Sequence, residues 1–259
     1  MGSDRVLSLG VSLVLYRTPV AAVVPLIEQL LSQGAAHVYV IDNSPEAFGT
    51  FRAWLPPERV TTLSSGRNLG YGRANNLAIG KSVRLHRYHL ICNPDIALQD
   101  DTLGKIYRML ESRADVGLCM PRVVGLDGSL QHLCKRAPVP LDYLSALWPS
   151  KSWNRRRRKY LEMRDRSYDE EMDVECLSGC FMFFRSDVLA SLRGFDERFF
   201  LYFEDFDLSR RARAVARNLY YPGAQVTHAH AREHRRSARV RLYFIASAIR
   251  YFNKWGWIG

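Results

Sequence analysis

LICNPDIALQD, residues 90–100, runs apolar through Leu90, Ile91 and Cys92, breaks at Asn93-Pro94, and then presents an acid, Asp95. Proline has no N–H for a sheet ladder and pushes its predecessor towards extended backbone, so the run reads as a strand that ends in a loop carrying Asp95. Taken alone, Asn-Pro-Asp reads first as an Asx turn, with Asn93 or Asp95 bonded to nearby backbone. The company it keeps decides otherwise.

Upstream, apolar strands alternate with amphipathic helices: VLSLGVSLVLY (6–16) as strand, residues 19–33 as helix, HVYVIDNS (37–44) and RVTTLSS (59–65) as strands, RANNLAIGKSV (73–83) as helix, and YHLICNPDI (88–96) as strand. Strands separated by helices at these lengths predict an α/β fold with a parallel, doubly wound sheet, whose ligands bind beyond the carboxyl ends of the strands. Three of those ends are polar: Tyr16-Arg17-Thr18, Asp42-Asn43-Ser44 and Asn93-Pro94-Asp95. Asp42 and Asp95 are therefore expected to face one cleft.

Between the third strand and its helix lies GRNLGYGRANN (66–76). Its glycines, Gly66, Gly70 and Gly72, match neither the dinucleotide fingerprint nor a P-loop. A glycine-rich turn with Arg67, Asn68 and Arg73 entering a helix still suits a phosphate or a ribose, because N–H groups are free there and the helix end is positive. A plain tight turn accounts for these residues equally well.

The 259 residues carry 37 Lys and Arg against 26 Asp and Glu, a net charge of +11. Such a surface attracts anions, and charge alone leaves nucleic acid, anionic lipid and a phosphorylated substrate open. The five cysteines, at 92, 119, 134, 176 and 180, sit mostly in apolar runs, which suits reduced core residues and a cytosolic compartment. No apolar run approaches the ~20 residues that span a bilayer.

Downstream, PRVVGLDGSLQHLCKR (121–136) predicts a hairpin about Asp127-Gly128, followed by a loosely patterned stretch with Pro138, Pro140, Pro149 and the basic run Arg155 to Lys159. Residues 179–184 read as a strand, and Glu204-Asp205 opens a helix that continues through Leu208 and Ala212. Paired acids at a helix start suit the macrodipole, but the neighbouring Phe199, Phe200, Tyr202 and Phe203 make an apolar surround in which a carboxylate gains basicity. The strand YYPGAQVTHAH (220–230) then ends on His228 and His230.

The pieces VSLVLYRTP, VIDNS, NLGYGRANN, CNPDI, SGCFMFFRSDVL, GFDERFFLYFEDFDLSRRAR, YPGAQVTHAH and SAIRYFNKWGW follow one another from about Ser8 to Trp257. In this order and spacing they resemble the inverting GT-A glycosyltransferases of family 2, and within them the bacterial rhamnosyltransferase-like group. The resemblance implies a nucleotide-sugar-binding half over 1–120, an acceptor-binding and catalytic half over 121–234, and a basic C-terminal helix over 235–259.

It also implies roles for particular residues. Asp42 matches the acid that contacts base or ribose. Tyr16, Asn43, Asn68, Gly70, Gly72 and Arg73 line the nucleotide-sugar pocket, and Asn93 and Asp95 border its diphosphate. CNPDI stands where the family has D-x-D, so Asn93 replaces the first acid and Asp95 keeps the metal-binding one. The cofactor is then Mn²⁺ or Mg²⁺, and His228, matching a late metal-side histidine, favours manganese if it ligates. His230 and His234 stand behind it. By similarity Asp205 is the catalytic base, Glu204 orients acceptor or backbone, Asp207 is structural, and Gly179 and Cys180 border the acceptor.

From Arg235 to Lys254 the chain places Leu242, Ile245, Ile249 and Phe252 on one helical face, with arginines around it and Trp255 and Trp257 at the end. A basic amphipathic helix of this kind suits an anionic membrane surface, and a core-packing helix fits equally. The expected reaction is transfer of L-rhamnose from dTDP-β-L-rhamnose to a polyprenyl-diphosphate-linked saccharide, as in O-antigen-like surface polysaccharide, at the cytoplasmic face of the inner membrane. A UDP-hexose donor is the alternative. From other classes, a nucleic-acid-binding module accounts for the charge but not for Asp42, Asp95, Glu204 and Asp205 together, and a non-catalytic sugar-binding relative accounts for Asn93 but not for Asp95 with Asp205.

Overall fold

The computed structural model describes residues 6–19, 22–45, 56–144, 151–229 and 237–257. The first half runs β1 (Leu7–Leu15), α1 (Val24–Ser32), β2 (Ala35–Asp42), β3 (Val60–Ser64), α2 (Tyr71–Ser82) and β4 (Tyr88–Cys92). Strands β3, β2, β1 and β4 lie side by side in that order, all parallel. The doubly wound start follows from two periods, near-continuous apolar runs in β1, β2 and β4 with a half-exposed β3 at the edge, and helices apolar on one side.

The second half continues as β5 (Ile96–Leu98), α3 (Thr102–Ser112), β6 (Val116–Val124), β7 (Cys134–Lys135), α4 (Pro140–Leu144), α5 (Lys151–Leu161), β8 (Met172–Asp173), β9 (Cys176–Leu177), β10 (Phe181–Arg185), α6 (Ser186–Ser191), α7 (Glu204–Arg213), β11 (Arg217–His228) and α8 (Ala238–Trp255). Strand β10 enters antiparallel between β4 and β6 and joins both halves into one mixed, mostly parallel sheet. Its apolar run Phe181-Met182-Phe183-Phe184 is buried throughout, as a central strand requires. Strand β11 lies parallel to β6 and carries β5 on its far side.

Three expectations change. LICNPDIALQD is two strands: Pro94 stops β4 at Cys92, and the chain crosses to the sheet edge as β5, antiparallel to β11. The hairpin about Asp127-Gly128 closes through Gly125 N–H to Ser129 O at 2.8 Å, yet it pairs only at Val124 and Leu130 before Cys134 and Lys135 leave to pair with β9. The loosely patterned stretch holds helices α4 and α5.

A buried polar cluster fixes α2 to the sheet. Ser12 Oγ donates to Asn75 Oδ1 at 2.7 Å, and His89 joins Ser12 and Ser82 through its two ring nitrogens at 3.1 and 2.7 Å. Burial pushes His89 down to about 3, so it is a neutral core residue. All five cysteines are buried and free, as their apolar settings imply.

Helix α8 packs one face on the core and leaves apolar residues exposed on another. Ser247, Tyr251 and Phe252 are buried against α7, α4 and the loop before α7, while Leu242, Ile245 and Ile249 are 65%, 53% and 45% exposed. Phe252 therefore leaves the apolar face assigned to it. Lys254 and Trp255 also turn inward: Lys254 Nζ reaches Asp207 at 2.6 Å and Asp196 at 2.9 Å, and Trp255 Nε1 donates to Asp207 at 2.9 Å.

Candidate active site

The carboxyl ends of β1, β2 and β4 open onto one edge, since Leu15 is in register with Asp42 and Leu13 with Cys92. Asp42 is buried there, its Oδ1 accepting the Ser44 N–H at 3.0 Å. Asn43 organises the glycine-rich turn: its Oδ1 accepts the Leu69 N–H at 2.8 Å, and its Nδ2 donates to Asn68 Oδ1 at 3.1 Å and to Gly70 O at 3.3 Å. Asn68 Oδ1 in turn accepts the Gly70 N–H at 2.9 Å. These two side chains shape the loop from within.

Gly70 has φ +82°, and a Cβ there would stand 2.1 Å from Phe200 O; one on Gly72 would stand 2.9 Å from Phe195 Cβ. Both glycines thus have a packing reason, close approach to the 195–200 segment of the other half. Tyr16 is exposed beside the same edge, with the Arg17 guanidinium 5.5 Å from its ring centroid. Arg73 forms a surface ion pair with Glu197 at 3.2 Å.

Asn93 is anchored by its N–H to Cys180 O at 2.9 Å, which places Asp95 beside the end of β11. There Asp95 Oδ1 lies 3.3 Å from His228 Nε2. Two neighbouring ligands of an octahedral cation, each about 2.1–2.3 Å away, stand about 3 Å apart, so this spacing fits a shared divalent ion. Among the described residues no group of three or more His, Cys, Asp or Glu forms a metal cluster. Asp95 and His228 could supply two ligands to such an ion. His230 and His234 lie outside the described residues.

Gln131, which the sequence did not single out, sets the His228 ring. Its Nε2 donates to His228 O at 2.8 Å, and its Oε1 lies 3.0 Å from His228 Nδ1.

The acids of α7 meet this edge at the turn that leads into β10. Asp205 Oδ2 accepts the Gly179 N–H at 3.0 Å and Oδ1 accepts the Phe206 N–H at 2.9 Å. Burial raises its carboxyl above the ordinary range, opposed by the Lys135 charge and these N–H bonds. Glu204 is only 5% exposed, and its Oε2 has no hydrogen-bond partner among the described residues. Burial first, and then the Asp205 charge, raise Glu204 well above the ordinary carboxylate range. Gly179 opens a gap one methyl wide between Asp205 Cβ and Tyr71 Cε1, each 3.4 Å from where a Cβ would sit. Cys180 turns its thiol inward, where burial pushes it up to about 12.

Tyr71 is a second residue that sequence reasoning passed over, and Lys135 a third. Tyr71 Oη donates to Gly179 O at 2.7 Å, joining the start of α2 to the turn that leads into β10. It lay inside a quoted motif, but nothing in spacing separates a bridging tyrosine from a packing one. Lys135 carried no signal at all, being one cation in a basic chain.

Strain is concentrated just ahead of the acids. Tyr202 and Phe203 both have positive φ, +69° and +66°, a conformation costly for bulky residues that persists only where the surroundings impose it. Helix α8 supplies that imposition: Ser247 Oγ donates to Leu201 O at 2.9 Å, and Phe203 packs among Tyr143, Phe244 and Tyr251 at 5.2–5.3 Å between centroids. Asp207, fully buried and bonded to Arg211, Lys254 and Trp255, ties α7 to α8.

The chain matches the family described as "Glycosyltransferase like family 2" over residues 23–244. An N-acetylglucosaminyl-diphospho-decaprenol L-rhamnosyltransferase of Mycobacterium tuberculosis is 27% identical over 184 residues, 65% of this chain and 58% of the relative. Rhamnosyltransferase WbbL of Escherichia coli K12 is 27% identical over 164 residues, 61% of this chain and 59% of the relative. The matched part of this chain thus spans under two thirds of either relative. Among solved structures, GalNAc-T7 with UDP, GalNAc and Mn²⁺ superposes with a TM-score of 0.69 at 12% identity, covering 96% of this chain and 48% of that one. A mannosyltransferase of Pyrobaculum calidifontis in complex with GDP-Man and Mn²⁺ gives 0.55 at 16% identity, covering 95% and 63%. At these identities the structural likeness shows the fold alone, the GT-A arrangement.

Proposed function

Because the chain belongs to glycosyltransferase-like family 2, we propose that it transfers a hexosyl group from a nucleotide diphosphate to an acceptor hydroxyl with inversion, Asp205 acting as base. The carrying observation is the placement of Asp205 beneath Gly179, on the same edge that holds Asp95 beside His228. As the acceptor oxygen bonds to the anomeric carbon, its proton passes to an Asp205 carboxylate oxygen and the carbon–oxygen bond to the diphosphate breaks with its electron pair. A carboxylate of raised basicity is suited to that task. Glu204, the gap at Gly179 and the Cys180 backbone border the acceptor.

On the donor side, Asp42 takes the base or ribose, and the turn shaped by Asn43, Asn68, Gly70 and Gly72 lines the pocket. Tyr16 and Arg73 stand at its rim. Asp95 and His228, with Asn93 anchoring their loop, would hold Mn²⁺ or Mg²⁺, which when bound neutralises charge on the leaving diphosphate. The two rhamnosyltransferase relatives support L-rhamnose from dTDP-β-L-rhamnose as the donor group, with a UDP-hexose as the alternative. The name of the mycobacterial relative supports a polyprenyl-diphosphate-linked saccharide as acceptor, in cell-surface polysaccharide assembly. No described helix is long and apolar enough to cross a membrane, and we place the protein peripherally, at the inner face.

Release of nucleotide from dTDP-, UDP- and GDP-sugars, with Mn²⁺, Mg²⁺ or chelator, tests the reading in wild type, Asp95→Ala and Asp205→Asn. The expected result is metal-dependent turnover of dTDP-rhamnose with acceptor present, lost in both variants. Turnover of other donors but not dTDP-rhamnose would sink the sugar assignment.

A further inference from the structure

Helices α4 and α5 and Trp257, just past the end of α8, border a hollow of about 420 Å³ whose rim includes Leu141, Arg157 and Tyr160. Tyr143 of α4 packs on Phe244 of α8 at 5.4 Å, so the three helices are contiguous. This part of the surface is unusual for its apolar exposure. Leu141, Tyr160, Leu242, Ile245, Ile249 and Trp257 are all more than two fifths exposed. Scattered singly they would need no explanation, but here they gather on adjoining helices.

The charges on α5 and α8 are all basic, while α4 carries Asp142. Neither α5 (KSWNRRRRKYL) nor α8 (ARVRLYFIASAIRYFNKW) contains an acid. Arg157 is bound to Asp142, with Nε at 2.9 Å, and Arg158 to Glu162 at 2.8 Å. Arg155, Arg156 and Lys159 are exposed, as are Arg239, Arg241 and Arg250. None of these six belongs to a salt bridge among the described residues. Apolar side chains beside unneutralised arginines, with a tryptophan at the helix end, match a surface that is anionic at its headgroups and apolar beneath them.

We propose that α4, α5 and α8 together form a docking face for an anionic lipid bilayer. The face reaches the acids through few contacts: Tyr143 packs on Phe203, and α8 bonds to Leu201, directly ahead of Glu204 and Asp205. Docking would therefore set the bilayer against the helices that pack on the loop leading to Glu204 and Asp205, the residues the transfer reading puts at the acceptor. That last step rests on the glycosyl-transfer reading, whereas the face itself does not.

The test is co-sedimentation with phosphatidylglycerol and with phosphatidylcholine vesicles over a salt series, in parallel with donor hydrolysis. Two surface variants are compared with wild type: Leu242→Ser/Ile245→Ser/Ile249→Ser, and Arg155→Glu/Arg156→Glu/Lys159→Glu. Wild type is expected to bind the anionic vesicles at least about tenfold more tightly, with salt weakening the binding, and each variant is expected to lose about tenfold or more with circular dichroism and hydrolysis unchanged. Equal affinity for both lipids, or variants that bind like wild type, would overturn the proposal. So would a concentration-dependent dimer that the apolar variant abolishes while wild type ignores vesicles, since a second copy would then cover the stripe. Hydrolysis without vesicle binding refutes the face and spares the transfer reading; vesicle binding without hydrolysis of any donor supports the face and counts against that reading.

Discussion

Gln131 grips His228 at two points, and the grip fixes which ring nitrogen carries hydrogen. The His228 carbonyl can only accept, so the Gln131 amide nitrogen faces it and the amide oxygen faces Nδ1. Nδ1 is therefore the N–H, and Nε2 is directed at Asp95. An outer partner of this kind would orient the imidazole towards an ion at Nε2.

Gln131→Leu is expected to weaken Mn²⁺ binding about 10- to 100-fold in the presence of dTDP, read by loss of the free-ion signal in electron paramagnetic resonance. Unchanged affinity in a folded variant would remove His228 from the ion's coordination.

Asp205→Asn keeps shape but cannot accept a proton. Turnover should fall about 10²- to 10⁴-fold, with the KM for donor nearly constant. Because burial raises Asp205 above its ordinary value of 3.8, wild-type kcat/KM should climb with pH along an acid limb lying above that value. A pH profile flat down to 3.8 would exclude Asp205 as the base.

Glu204→Gln is expected to stabilise the fold at neutral pH. A carboxyl raised in the folded state holds a proton that the unfolded chain has lost, so stability is whole below the ordinary value of 4.5 and declines as pH rises through the folded value. The amide cannot ionise, so the variant should show a shallower fall of Tm with pH and a Tm at least about 2 °C higher at pH 7. Parallel thermal melts of the two proteins between pH 5 and 8 decide it.

Gly70→Ala should cost more than about 2 kcal/mol, because φ is +82° and the new methyl would meet the Phe200 carbonyl at 2.1 Å. Urea melts measure the loss. Nucleotide affinity should fall with it, since the same displacement moves the turn that Asn43 and Asn68 hold.

The parallel start of the sheet was legible because β1, β2 and β4 are largely apolar runs and its helices are apolar on one side only. The second half was harder. Strands such as Cys134–Lys135 and Cys176–Leu177 are two residues long, too short for any periodicity, and exist only because they meet each other. Acids at strand and helix ends announced themselves as Asp95, Glu204 and Asp205. Their supports did not: Gln131, Tyr71 and Lys135 act through partners distant in sequence, and Lys254 and Trp255, which looked like interface residues, are drawn inward by Asp207, a buried acid that needs cations and donors. The family resemblance drawn from the ordered motifs is borne out by the match over residues 23–244.

Strand β10 also governs when the protein can fold during its own synthesis. Strand β4 gains its second neighbour only when residues 181–185 arrive, nearly ninety positions after Cys92. A ribosome that has delivered β1 to β4 has therefore delivered a sheet with an open edge, apolar along Leu90, Ile91 and Cys92. The nascent chain must wait for β10, shielded or at risk of pairing with another, before its own product can cover that edge.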